Sequence, residues 1–144
     1  MAVAAPAEVA WELIADLQSW RQWNPLYAQT VGSFIVGETI RMTVTVPGSR
    51  PMRFGAKVTD VIPTEWVEYQ GEAVGGLLRG TRYIGIERSG AHDCVVSNGE
   101  IIGGLLGPVI ARGTRDRVLS GLQMMSEALQ KVAEARWQGR SAGR

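Results

Sequence analysis

The sequence is poor in the residues that catalytic and metal sites use most. In 144 residues it has one cysteine, Cys94, and one histidine, His92. A single cysteine excludes an internal disulfide, and a metal site normally needs three or four ligands. We therefore expect no metal and no cofactor, with Cys94 as a small buried strand residue and His92 as an exposed turn residue.

Long apolar runs and an excess of one charge are also missing. No stretch approaches the ~20 apolar residues of a membrane-spanning helix, and the apolar N-terminus carries Glu8, Glu12 and Asp16 without the basic start of a signal peptide. Fifteen basic and 14 acidic residues leave a net charge of +1. The totals thus predict a cytoplasmic protein with no membrane span, and charge gives no reason to expect nucleic acid or an anionic membrane as partner.

The longest regular pattern lies at the C-terminal end. Val118, Leu122, Met125, Leu129 and Val132 recur at spacings of three and four, which is typical of one face of an α-helix. Proline is favoured in a first helical turn, so we expect this helix to run from Pro108 to about Arg136. The sequence predicts a single domain over residues 1–136 and a disordered polar tail over residues 137–144.

In the rest of the chain, the spacing of apolar residues changes once, from helical to alternating. Val9, Leu13, Ile14 and Leu17 follow Pro6 with helical spacing, and a short second helix or turn at 20–25 contains two tryptophans. From Tyr27 onward apolar and polar residues alternate in five or six segments, which indicates strands. The connections are too short for parallel crossovers. The fold class is therefore α+β, with an antiparallel sheet lying against the long helix.

Several motifs, taken in order, resemble a known family. They are Ala5-Pro6-Ala7-Glu8-Val9-Ala10-Trp11 with Asp16, Trp23-Asn24-Pro25, Gly76-Leu77-Leu78-Arg79-Gly80, Asn98-Gly99-Glu100, Gly104-Leu105-Leu106-Gly107-Pro108, Gly121-Leu122-Gln123-Met124-Met125, and Ala128-Leu129 with Glu134. Together they resemble the polyketide cyclase/dehydrase-like branch of the START and birch-pollen-allergen superfamily (SRPBCC), from about residue 5 to residue 135. The resemblance implies a helix-grip fold, in which a curved antiparallel sheet wraps the C-terminal helix and encloses a cavity for an apolar small molecule.

The chain departs from this family at its start. The family usually opens with a full strand, whereas only Met1 to Ala5 precede the first helix here. The first strand should therefore be short or missing. A missing strand would expose the edge of the last strand, so a homodimer is a possible consequence.

Glycines cluster in two similar segments, Gly75-Gly76-Leu77-Leu78 and Gly103-Gly104-Leu105-Leu106. Neither contains a dinucleotide-binding or P-loop pattern. One interpretation is tight turns and bulges where the sheet bends. The other is a mobile apolar rim that controls access to the cavity. The two interpretations are compatible.

The strongest polar candidates are Arg82, Asn98 and Glu100, which alternation places on the helix-facing side of the sheet. A turn at Ser89-Gly90-Ala91 would put Arg82 opposite Asn98 and diagonal to Glu100. An Arg82–Glu100 ion pair would then satisfy both charges. Alternatively, these side chains bind the polar end of a ligand, because an arginine suits a carboxylate, an enolate or a phosphate.

Three functions follow as hypotheses. The first is binding of an apolar or amphipathic molecule, with the polar candidates at its polar end. Its apolar body would contact Met42, Val44, Phe54, Val58, Tyr69, Ile84, Met125 and Leu129, and Trp23 would lie near the mouth. The second is a cyclase or dehydratase, in which Arg82 stabilises an enolate and Glu100 is the general acid or base. The third is an accessory protein that docks on an enzyme complex through the leucine loops.

Overall fold

The computed structural model describes residues 1–143, and its centre is one antiparallel sheet of seven strands. The strands are β1 (Ala2–Val3), β2 (Tyr27–Val31), β3 (Thr39–Val44), β4 (Met52–Ile62), β5 (Trp66–Ala73), β6 (Leu78–Arg88) and β7 (Cys94–Gly103). Their order across the sheet is β1-β7-β6-β5-β4-β3-β2. From β2 to β7 each strand therefore pairs with its neighbours in sequence, as short connections require.

Three helices accompany the sheet. Helix α1 covers Ala7–Ala15, a 3₁₀ turn covers Leu17–Ser19, α2 covers Trp20–Trp23, and α3 covers Gly107–Ala142. The two short N-terminal helices and the long C-terminal helix were expected, and the helix-grip prediction is confirmed. With 36 residues, α3 is about 54 Å long at 1.5 Å per residue.

Helix α3 continues beyond the predicted boundary at Arg136. Residues 137–142, for which the sequence predicted a disordered tail, form its last turns, and residue 144 lies outside the described residues. Two contacts account for the extra turns: Arg140 Nη2 lies 2.6 Å from Glu12 Oε2 in α1, and the half-buried Trp137 packs against the core. The local composition of residues 137–144 predicted a disordered tail because it does not reveal contacts with Glu12 and the core, which are distant in sequence.

The first strand is short and not missing. Ala2 and Val3 pair with Val95 and Cys94 of β7. Met1 extends this pairing, since the N–H of Val96 donates to its carbonyl oxygen at 2.8 Å. The homodimer stays a prediction.

The β6–β7 hairpin has a longer turn than the sequence indicated. Arg88 pairs with Cys94, which leaves five residues, 89–93, in the connection. The N–H groups of Ser89 and Gly90 both donate to the carbonyl of Asp93, at 3.1 and 3.2 Å. The register is therefore two residues away from the expected one: Arg82 lies directly opposite Glu100, and Asn98 lies opposite Ile84. A shift of two preserves the faces, so these polar residues still point towards α3.

On the face turned away from α3, two aromatic rings cover two glycines. Trp66 and Tyr83 are stacked, with ring centroids 5.1 Å apart and an interplanar angle of 10°. A Cβ at Gly99 would lie 2.3 Å from the Tyr83 hydroxyl oxygen, and one at Gly85 would lie 3.2 Å from the Trp66 ring. Only glycine leaves room for the rings to lie flat on the strands.

The core lies between the concave face of the sheet and the helices. Its largest fully buried side chains include Trp20, Tyr27, Tyr69, Leu13 and Leu129. Within residues 1–143, none of the helices is long and apolar enough to cross a membrane.

Candidate ligand-binding site

A cavity of about 420 Å³ lies between the sheet and the N-terminal half of α3. This volume falls within the range of small-molecule sites. Most of its wall is apolar: Leu26, Val44, Val46, Phe54, Ala56, Leu78, Ile102, Ile110, Val118 and Leu122. At the mouth the cavity is bordered by more exposed residues, among them Met52, Arg53, Glu72, Arg79 and Arg117.

The cavity exists because α3 packs closely on the sheet along only part of its length. Apart from Gly107, every buried residue of α3 among those described lies at or beyond position 121: Gly121, Leu122, Met125, Leu129 and Ala133. In the first half the same helical face carries Ile110, Thr114 and Val118, which border the cavity and do not reach the strands closely enough to be buried. The apolar stripe is continuous, but the packed interface is not.

Arg82 lies at the inner end of the cavity and is 5% exposed. Its Nη2 donates to Asn98 Oδ1 at 2.9 Å and lies 3.6 Å from the Met125 sulfur. Asn98 is held in turn by α3, since its Nδ2 donates to the Leu122 carbonyl at 3.3 Å. The Nε and Nη1 atoms of Arg82 are buried, and neither has a hydrogen-bond acceptor within residues 1–143. An unsatisfied buried donor costs about 1–3 kcal/mol, and more when it is charged.

The surroundings of Arg82 keep it cationic. Burial alone lowers the pKa of the guanidinium, but the neighbouring oxygens of Tyr27, Tyr69 and Glu100 raise that pKa above its ordinary value. The site therefore holds a permanent positive charge with unused donors at the inner end of an apolar cavity. A ligand with a hydrogen-bond acceptor, above all an anionic one, would satisfy it.

Two tyrosines supply a second polar group beside Arg82. The hydroxyls of Tyr27 and Tyr69 are 2.8 Å apart and hydrogen-bonded to each other. Burial raises the pKa of Tyr27 well above its ordinary value, so this hydroxyl is neutral. When two hydroxyls share one hydrogen bond, one proton is left free to donate to a ligand. Trp20 packs edge-on against Tyr27, with ring centroids 5.0 Å apart, and fixes its position.

Glu100 also lines the cavity and pairs with Arg82 in the strand register. The predicted Arg82–Glu100 ion pair is absent from the described residues, where all four ion pairs lie on the surface. Burial raises the pKa of the Glu100 carboxyl, and the positive charge of Arg82 lowers it by a smaller amount. Gly80 provides space for this side chain, because a Cβ there would lie 3.3 Å from Glu100 Oε1. Glu100 is therefore a half-buried acid that keeps its proton to a higher pH than an exposed glutamate does.

The predicted site residues fall into two groups. Val44, Phe54, Tyr69, Arg82 and Glu100 line the cavity, and Asn98 lies behind Arg82 and positions it. The others lie outside its lining, and these are Trp23, Met42, Val58, Ile84, Met125 and Leu129. The last five are buried in the core, at 1–3% exposure. Trp23 packs edge-on against Trp20 at 6.0 Å instead of bordering the mouth.

The sequence interpretation missed Tyr27 and the first half of α3 as parts of the site. Ile110, Thr114, Val118 and Leu122 recur every four residues, so their common face could have been recognised. Spacing cannot say where a sheet stops supporting a helix. The predicted lining residues Met125 and Leu129 lie about three helical turns beyond the middle of the stretch of α3 that borders the cavity. Tyr27 opens a strand next to Pro25 and Leu26, and nothing local distinguishes it from an ordinary core residue.

The two glycine-rich segments lie together beside the mouth. The N–H of Leu106 donates to the Leu77 carbonyl at 3.0 Å. Gly104 has a φ of +86°, and a Cβ there would lie 2.4 Å from that same carbonyl oxygen. The glycine is required for this close approach of the two loops. Leu77, Leu105 and Leu106 are at least one-third exposed, which agrees with the predicted rim.

The remaining candidates play no part in the cavity. His92 is exposed and lies against Trp137, with ring centroids 5.3 Å apart. Cys94 is buried, and burial raises the pKa of its thiol. Within residues 1–143, no three His, Cys, Asp or Glu side chains come together as metal ligands.

The sequence as a whole matches one protein family. The model described as "Polyketide cyclase / dehydrase and lipid transport" covers residues 1–139. The chain belongs to this family. Membership of the polyketide cyclase/dehydrase family agrees with the cavity between sheet and helix, which is where the sequence resemblance implied it. No curated protein is similar enough in sequence to count as a relative.

Solved structures similar to this family member share its fold at low sequence identity. The aromatase/cyclase ZhuI from Streptomyces sp. R1128 superimposes with a TM-score of 0.69 and 19% identity, over 94% of this chain and 91% of its own. Norcoclaurine synthase from Thalictrum flavum gives 0.68 and 19%, over 92% and 82%. The di-domain aromatase/cyclase BexL from the BE-7585A biosynthetic pathway gives 0.69 and 18%, over 91% of this chain and 43% of its own. At these identities the likeness establishes the fold alone.

Proposed function

We propose that this protein binds an amphipathic small molecule whose apolar body fills the cavity and whose oxygen-bearing end meets Arg82. The observation that supports this most directly is the pair of buried Arg82 donors, Nε and Nη1, that lack an acceptor. Such donors are rare in folded proteins and normally mark a missing partner. A carboxylate, phenolate or enolate oxygen would supply it, and the free tyrosine proton would donate to the same group.

The chemistry of the walls limits the ligand. Apart from the polar inner end, the cavity offers aliphatic side chains and Phe54, so the body of the ligand is apolar, such as a fused aromatic, polyketide-like or lipid-like skeleton. A protein that acted only by docking on an enzyme complex would need no cavity of this size. The cavity volume therefore favours binding over the accessory role.

A matched pair of fluorescent probes tests the role of Arg82. Anilinonaphthalene sulfonate and N-phenylnaphthylamine share one aromatic skeleton, but only the first carries an anionic group. Arg82→Met should weaken binding of the sulfonate by about 10–100-fold, as loss of a charged hydrogen bond predicts. Binding of the neutral probe should change by less than about threefold.

The control variant is Arg79→Met at the mouth. Arg79 is half exposed and paired with Glu72 at 3.0 Å, so its loss should leave the affinity for both probes nearly unchanged. Val118→Trp, which would obstruct the cavity beneath α3, should weaken binding of both. Equal losses for the two probes in Arg82→Met, or binding that Val118→Trp leaves unchanged, would contradict the proposal.

Glu100 favours a second candidate function, a cyclase or dehydratase. Its raised pKa and its position across from Arg82 suit a residue that takes a proton from the carbon beside a carbonyl. Arg82 would hold the oxygen of the resulting enolate. Neutral Glu100 would then return that proton to a departing β-hydroxyl, which leaves as water as the carbon–carbon double bond forms.

The two candidates differ in what Glu100→Gln should do. If the protein only binds its ligand, this isosteric change should leave the affinity within a few-fold of wild type, and there is no turnover to lose. In an enzyme, turnover of a β-hydroxy carbonyl substrate should fall by about 10²-fold or more while binding is kept. The measurement is mass spectrometric detection of water loss from a ligand that co-purifies with the wild-type protein.

A further inference from the structure

The mouth of the cavity is surrounded by apolar side chains that protrude into solvent. We define the mouth end as residues 47–54, 72–79 and 103–117, the three segments that border the opening. It carries Met52, Val74, Leu77, Leu105 and Val109, whose exposures range from 41% to 83%. Clustered exposed apolar residues of this size usually mark a contact surface.

The backbone holds these side chains outward. The bond from Leu106 N–H to the Leu77 carbonyl joins the two loops, and Gly104 permits their approach. Leu105, at the tip of its loop, is consequently 83% exposed. Val74 adopts a φ of 54°, a left-handed conformation that is unfavourable for a β-branched residue. Strain of this kind persists mainly where a site requires it.

The same end of the molecule is strongly basic. Its charged residues are six arginines (Arg50, Arg53, Arg79, Arg112, Arg115 and Arg117) and two acids (Glu72 and Asp116). That is a net charge of +4 for the mouth end, whereas the whole chain carries +1, so the remainder carries −3. Of the six arginines, only Arg79 forms an ion pair within residues 1–143. The near-neutral total therefore conceals a charge asymmetry between the mouth end and the rest of the molecule.

Apolar tips and arginines are arranged as an interfacial contact requires. Along the helix axis, Arg112 lies about 5 Å and Arg115 about 9 Å from Val109, at 1.5 Å per residue. Side chains at the tip can enter the outer part of a bilayer to a depth of about 5–10 Å while long arginine side chains reach the headgroups.

We propose that the mouth end docks on the surface of an anionic lipid bilayer. Charge complementarity favours an anionic partner, and the protruding tips favour a bilayer over an acidic protein. These separate side chains stand on two loops and a helix end, and a bilayer accepts such dispersed tips. The opening of the cavity faces this surface, so, given the proposed ligand-binding function, the ligand passes directly between bilayer and cavity.

Flotation with lipid vesicles tests the docking. Wild-type protein should float with vesicles of equal parts phosphatidylcholine and phosphatidylglycerol and should not float with pure phosphatidylcholine. Raising the salt from about 0.1 M to 1 M shortens the Debye length from about 10 to 3 Å and should release most of the protein. Wild-type protein that floats with neither vesicle would overturn the proposal in favour of an acidic protein partner.

Two double variants separate the apolar and basic contributions. Leu105→Glu/Val109→Glu should reduce the bound fraction at least tenfold. Arg112→Gln/Arg115→Gln leaves the apolar tips intact and should weaken binding by about tenfold or more, at roughly 1 kcal/mol per arginine near an anionic surface. All four positions are exposed, so folding should be kept and can be verified by thermal unfolding.

The matched control is Ile35→Glu/Val36→Glu. These residues are 55% and 58% exposed in the loop before β3, at the opposite end of the sheet, and the change should leave flotation unaltered. A loss equal to that of the mouth variant would contradict docking through the mouth. Anilinonaphthalene sulfonate binding is measured on the same samples without vesicles. Failure of flotation with intact probe binding overturns only the docking, and the reverse result overturns only the ligand site.

Discussion

The two halves of α3 carry one continuous apolar stripe but differ in what lies beneath it. In the second half, Met125 and Leu129 are 1–2% exposed and pack on the sheet. In the first half, Ile110 is 38% exposed and borders the cavity. The comparison shows that helical spacing specifies which face turns inward, whereas the extent and curvature of the sheet decide whether that face meets a wall or a cavity.

Polar contacts follow the same division. The second half of α3 is tied to the N-terminal segment through Gln130, whose Nε2 donates to the Ala2 carbonyl at 2.9 Å, and through Glu134, which accepts from the N–H of Ala4 at 3.0 Å. Between residues 107 and 120 no hydrogen bond of the described structure joins α3 to the sheet, and the nearest such bond is that of Leu106, just before the helix, to Leu77. One half is held in place, and the other is left to cover an opening.

The largest expected difference between the halves is in stability. Leu129→Ala creates a void in a packed region and should lower the free energy of unfolding by about 2–5 kcal/mol. Ile110→Ala removes a partly exposed side chain beside an existing cavity and should cost under about 1 kcal/mol. Urea unfolding of both variants measures the contrast. Similar losses would mean that the two halves are packed alike.

A smaller effect should distinguish Glu100 from ordinary surface acids. Because burial raises the pKa of this carboxyl above its ordinary value of 4.5, the unfolded chain releases its proton at a lower pH than the folded one, and stability falls as pH rises through this interval. Glu100→Gln should therefore be more stable than wild type at pH 7. The gain should shrink towards zero as the pH falls below 4.5, and paired urea titrations across this range measure it. A gain independent of pH would show that ionisation of Glu100 is not its cause.

The smallest effect concerns the end of α3. A hydrogen bond from Arg140 lowers the pKa of Glu12 below its ordinary 4.5, so the contact stabilises the fold above that pH and is lost as the pH falls through the lowered value. Glu12→Gln should slightly destabilise the protein at neutral pH, with the opposite pH trend to Glu100→Gln. It should also increase amide exchange in residues 137–142. Unchanged exchange there would assign those turns to the packing of Trp137 alone.

The sequence allowed the fold to be predicted because each element had a local signal. The four-residue spacing of α3, the alternation in β3 and β4, and the order of the family motifs all led to the helix-grip architecture. Two predictions failed, one through a distant partner and one through a local turn. Arg140 becomes helical through Glu12, 128 residues away, and the register of the β6–β7 hairpin depends on backbone bonds to Asp93 that composition does not reveal.

The charged residues of the candidate site could be predicted from the sequence, whereas its apolar wall could not. Alternation identified Arg82 and Glu100 as inward-facing charges, which are costly in a core and therefore conspicuous. Whether they pair with each other depends on side-chain directions, and Arg82 turns instead to Asn98. The apolar residues of the wall carried no such distinction, because Leu129 in the packed half and Val118 above the cavity look alike in sequence.

The stacked rings on the outer face of the sheet have a consequence for inheritance. Because Tyr83 occupies the space above Gly99, that glycine cannot gain a side chain while the ring stays in place. Gly99 and Tyr83 should therefore change together in descendants of this chain or not at all, with a smaller residue replacing the tyrosine before the glycine is lost. This paired change would lie on the face of the sheet opposite the cavity.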